Sequence, residues 1–139
     1  MCDVARSPAS VRLRVSMGWV AGCIAACLLA GCADIHGAPA SLTAHSGEQK
    51  PAQVTMADNV HIKLSTGYDR TLRRGTVWLN VGSVAAGDVY QPRDTVFSVE
   101  GVNVHEAYLV LSGGQLVGYF LPAENSFVPQ TPAIPVPLQ

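Results

Sequence analysis

After residue 32 the sequence contains no cysteine. Its four cysteines are Cys2, Cys23, Cys27 and Cys32. Beyond that point no disulfide can staple the fold, and no thiolate metal site can form. Charge is sparse as well: 14% of residues are Asp, Glu, Lys or Arg, and the formal net charge is −1. Nucleic acid calls for a strongly basic face, so this balance argues against it as a partner. Motifs that carry chemistry are missing too. There is no phosphate loop, no His-Glu-x-x-His and no Gly-x-Gly-x-x-Gly opening a helix. Gly82-Ser83-Val84 lacks the second half of a nucleophile elbow. No 11-residue window shows convincing helical spacing, which excludes an amphipathic-helix architecture.

What is present begins with a segment carrying Arg6, Arg12 and Arg14. An uncharged apolar run of 16 residues follows, Val15 to Ala30. That is short for a membrane span, which needs about 20 residues. The run ends in Leu29-Ala30-Gly31-Cys32. A basic start, an apolar middle and small residues at a cleavage point are the grammar of a secretory signal. Cys23 and Cys27 fall inside the run, where they act as small apolar residues.

With a cysteine just after the small residues, the segment resembles the lipobox of bacterial lipoproteins. The match covers residues 1 to about 34. It implies that Leu29, Ala30 and Gly31 are recognised, that Gly31 is the last residue removed, and that the Cys32 thiol carries a diacylglyceryl group. An Asp directly after the lipidated cysteine tends to retain such proteins in the inner membrane of enteric bacteria. Here that position is Ala33, with Asp34 one later, so the resemblance implies a lipid anchor in the outer membrane. Two or more acyl chains hold firmly, at ~0.8 kcal/mol per buried CH₂.

Removing residues 1–31 from the 139 leaves 108, enough for one small domain and its attachments. Those 108 carry six basic and nine acidic side chains, a net charge near −3. Residues 32–53 are rich in Ala, Ser, Gly, Pro and Gln without apolar periodicity, which predicts a flexible tether. Arg70, Arg73 and Arg74 form the basic cluster of the chain and read as a solvated loop.

From residue 54 to 128 the signal is β. Val60, Ile62 and Leu64 alternate with His61 and Lys63, and Phe97 and Val99 with Val96 and Ser98. Val77, Leu79 and Val81 alternate with Thr76, Trp78 and Asn80. Gly82 to Pro92 reads as a loop and Glu100-Gly101 as a turn. A hairpin is predicted about Gly113-Gly114, because two glycines supply positive φ in a two-residue turn. Its register would pair Leu111 with Leu116, Val110 with Val117 and Tyr108 with Tyr119. Tyr108, Val110, Val117 and Tyr119 would then share one face. Both faces are apolar, so the hairpin should be covered on both sides. Pro129, Pro132, Pro135 and Pro137 give residues 129–139 an extended, proline-rich tail unable to join a central strand. The fold expected is an all-β, small antiparallel sandwich or barrel of four to six strands.

The candidate binding residues are Tyr108, Tyr119 and Trp78 as an aromatic platform, and Pro135 and Pro137 as a docking tail. His36 and His45 lie in the tether, and a metal site needs three or four converging ligands, so no metal and no cofactor is expected. His105 and Glu106 must point to opposite faces of one strand; a buried, backbone-bonded His105 and a Glu106–tyrosine hydrogen bond are expected. The sequence reads as a non-enzyme: a lipid-anchored, periplasm-facing binding or structural module, accessory to an envelope assembly and paired with an envelope protein. The alternatives are a small-ligand or enzyme-inhibitor lipoprotein, and, third, a small hydrolase.

Overall fold

The computed structural model describes residues 33–46 and 50–139. The chain divides into two units, Met1–Gly31 and Cys32–Gln139, and the second holds every described residue. Leu29, Ala30, Gly31 and Cys32 lie outside the described residues.

The described residues form twelve strands and no helix. In order they are β1 (Ala38–Pro39), β2 (Thr43–Ala44), β3 (Gln53–Thr55), β4 (Val60–Lys63), β5 (Asp69–Leu72) and β6 (Val77–Val84). Then follow β7 (Gly87–Pro92), β8 (Ser98–Glu100), β9 (Val104–Glu106), β10 (Tyr108–Ser112), β11 (Gln115–Leu121) and β12 (Ser126–Pro135). Eight strands make one antiparallel sheet in the order β1-β12-β11-β10-β7-β6-β2, with β3 beside β2 on the same edge of β6. That exceeds the four to six expected. β4–β5 and β8–β9 are separate two-stranded hairpins.

The sheet has an apolar cluster on each face. Leu109, Leu111, Leu116, Tyr119 and Leu121 point to one side, with Trp78, where Val60, Ile62, Leu64 and Leu72 of the β4–β5 region and Phe97 and Val99 of the β8 region cover them. Val84, Val89, Val110 and Phe120 point to the other. The expectation that the β10–β11 hairpin is covered on both faces holds. So does its turn: Gly113 and Gly114 have φ of 57° and 74°.

The register of that hairpin departs from expectation after its first pair. Leu111 pairs with Leu116, but Val110 pairs with Gly118, Leu109 with Tyr119 and Tyr108 with Phe120. Val117 is an extra, bulged residue. One inserted residue exchanges the faces of everything beyond it. Tyr119 therefore lies on the face of Leu109, and Phe120 on the face of Tyr108.

Three segments read as irregular are built into the sheet. Residues 33–46 and 50–53 are not a free tether. β1 pairs with β12 on one edge, β2 and β3 pair with β6 on the other, and Ala40 and Leu42 cross the second cluster between them. Small residues suit a strap that lies flat on a sheet: a Cβ on Gly37 or Gly82 would collide with Ser126 or with the Thr43 carbonyl. Gly82 to Pro92 is no loop either. β6 runs to Val84 and β7 starts at Gly87, leaving only Ala85-Ala86 as a turn. The tail, third, begins as β12. Its outer side pairs with β1 only at Ser126 and Phe127, ahead of the first proline, so the missing N–H groups fall where no ladder needs them. Val136 N then donates to the Gly114 carbonyl at 3.0 Å, and residues 137–139 exchange backbone hydrogen bonds with residues 55–57.

Candidate functional site

The proposed aromatic platform is not assembled. Trp78 and Tyr119 are each 2% exposed, and they flank Phe97 with ring centroids 5.8 and 6.0 Å from it. They are core. The Tyr119 hydroxyl donates to Gln130 Oε1 at 2.8 Å, and burial raises its pKa above the ordinary 10.0. Tyr108 sits on the opposite face, tilted against Phe120. Burial raises its pKa, and the nearby Glu106 carboxylate raises it further. The expected Glu106–tyrosine hydrogen bond is not formed: Glu106 acts on Tyr108 through its charge alone, and the Tyr119 hydroxyl goes to Gln130. Pro135 and Pro137 are both exposed, on a tail whose neighbours Ile134 and Val136 pack on the core.

His105 is only half-buried, not buried as expected, and its partner is a side chain and not the backbone. Its Nδ1 lies 2.7 Å from Glu124 Oε1 in the β11–β12 turn. Nε2 is enclosed without a hydrogen-bond partner. His45 is held by Asn80, whose Oδ1 accepts from His45 Nε2 at 2.9 Å and from the Gly82 amide at 3.1 Å. Among the described residues no three His, Cys, Asp or Glu side chains converge as metal ligands.

The feature that sequence reasoning missed is the junction of the two hairpins. Arg70 of β5 bonds the Ser98 carbonyl through Nε at 3.0 Å and pairs with the Glu100 carboxylate through its other end. Thr66 donates to the Glu100 carbonyl. Arg70 is thus tied down, whereas Arg73 and Arg74 are solvated as expected. The start of the domain docks against this junction. Ile35 packs on the core, and a Cβ on Gly101 would meet Ile35 at 3.0 Å and the Ala33 carbonyl at 3.3 Å. Between the hairpin tips lies an open groove of about 470 Å³, lined by Ala33, Thr66, Gly67, Tyr68, Gly101 and Val102. Tyr68 is 50% exposed there and Val102 59%; Val104, beside them on β9, is 69% exposed. Only the docked Ala33 marks this end of the molecule as special.

The fold and this junction define an all-β domain, built on a curled antiparallel sheet and entered beside an apolar hairpin tip. No protein family, curated protein or solved structure matches the chain. No helix among the described residues is long and apolar enough to cross a membrane.

Proposed function

We propose that the chain is a bacterial lipoprotein, anchored in the outer membrane through Cys32, whose β domain serves as a periplasm-facing binding or structural module of an envelope assembly. The observation that carries the reading is the run Leu29-Ala30-Gly31-Cys32 behind a basic and then an apolar segment. We read the sheet as a small barrel. One wall is β6-β7-β10-β11-β12, and the tail closes it by bonding residues 55–57 beside β6. Closure of this kind removes the open edges that invite aggregation, which suits a scaffold. The exposed Pro135 and Pro137 then offer a rigid ridge to a protein partner.

Labelling cells with a fatty acid tests the anchor. Wild type should carry label and Cys32→Ser none, because a hydroxyl cannot replace the thiolate in the transfer. Equal label in both would leave an ordinary secreted protein.

A further inference from the structure

We propose that the tips of the β4–β5 and β8–β9 hairpins rest on the lipid bilayer, with Tyr68, Val102 and Val104 as the contact. This deepens the lipoprotein reading and rests on it. Ala33 is the residue next to Cys32, and consecutive Cα atoms are only about 3.8 Å apart. Ala33 itself lines the groove that Tyr68 and Val102 flank. A flexible tether would let the domain stand off the membrane. Instead Ile35 is packed on the core and the Ala33–Ile35 backbone lies against Gly101, so little free chain separates an acylated Cys32 from the hairpin tips.

The tips have the chemistry of a shallow interfacial contact. Tyrosine carries an apolar ring and a polar end, and aromatics of this kind favour the headgroup level. Val102 and Val104 stand more than half exposed, which no intramolecular packing explains. Beneath them the Arg70–Glu100 pair and the Thr66 bond to the Glu100 carbonyl lock one hairpin to the other, so both tips present together. Affinity comes from the acyl chains; the tips set orientation. The strap that carries the exposed Ser41 lies over the second cluster, on the face of the sheet opposite the hairpins.

Full-length protein, processed in cells and reconstituted in phosphatidylethanolamine–phosphatidylglycerol vesicles, provides the test. Single cysteines replace Val102, Val104 or Ser41 and carry an environment-sensitive fluorophore. Melting curves matched to wild type establish that each exposed-site variant folds. The fluorophore at 102 and 104 should shift to the blue and be quenched by spin-labelled lipid, at a depth of about 5–10 Å into the headgroup–acyl boundary. At 41 it should report water. Signals at 102 and 104 equal to that at 41, on protein that carries lipid and floats with the vesicles, would overturn the proposal and leave the anchor standing. Protein that neither carries lipid nor floats would overturn both.

Discussion

At the scale of single residues, Gly118 and Tyr119 show how little room the sheet leaves. Gly118 faces the Phe127 ring, and a Cβ there would lie 2.4 Å from both that ring and the Val128 carbonyl. The ring can turn, but the carbonyl belongs to the β11–β12 ladder. Gly118→Ala should therefore cost about 1–3 kcal/mol, as overpacking does, read as a lower urea midpoint with unchanged slope. Tyr119 makes stability sensitive to alkali. Burial holds its folded pKa above the unfolded value near 10. Its contribution is whole below pH 10 and is lost as pH climbs from there toward the folded pKa, by at most about 1.4 kcal/mol per pH unit. In Tyr119→Phe that part of the alkaline slope should vanish. The variant should also lose about 1–3 kcal/mol at neutral pH, since Gln130 loses its partner. Parallel alkaline curves for the two proteins would place the titration elsewhere.

At the scale of elements, the tail is the most exacting case. Prolines alternating with Val128, Ile134, Val136 and Leu138 predict a tail that packs, either on its own sheet or into a partner; β12 lies in the sheet and Val136 is 6% exposed, so it packs on its own sheet. Met56 bridges to Leu138, and Thr55 and Gln139 exchange two hydrogen bonds. Deleting residues 136–139 should lower stability by at least about 2 kcal/mol, the worth of one buried Val and its ladder bonds. An unchanged melting temperature would show that the tail end does not close the sheet. Elements were legible where side chains alternate in size and polarity. Val60 and Ile62 are buried while His61 and Lys63 are exposed, as their order suggests. In β6 the same rule picked the wrong side. Trp78, Asn80, Gly82 and Val84 are the buried residues, and Val77, Leu79 and Val81 are half-exposed. Trp78 has the larger apolar surface, and Asn80 enters the core because Gly82 and His45 bond its carbonyl oxygen.

At the scale of the molecule, the two clusters share one sheet, since Leu109 and Val110 are neighbours that face opposite ways. Neither layer can come off without exposing the other's support. Residues 33–139 should therefore unfold in one step. Trp78 is the lone tryptophan of that span, so its fluorescence reports the first cluster, while circular dichroism reports the sheet as a whole. Coincident urea transitions are the expected result. An earlier fluorescence change would mean that the hairpin cap opens as a separate unit.

Local sequence was enough for the β class, the Gly113-Gly114 turn and the two apolar faces of its hairpin. Each of these depends on neighbours within a few residues, where periodicity and glycine geometry act. Tertiary structure decided the rest. The bulge at Val117 is invisible to alternation, yet it sends Tyr119 into the core and separates it from Tyr108. The strap of residues 38–44 has no local signal, because small residues hold it there through backbone bonds to β12 and β6, far along the chain. The same long-range docking brings Ala33 to the hairpin tips. That contact, between residues more than sixty positions apart in the case of Gly101, exists only once the sheet has curled.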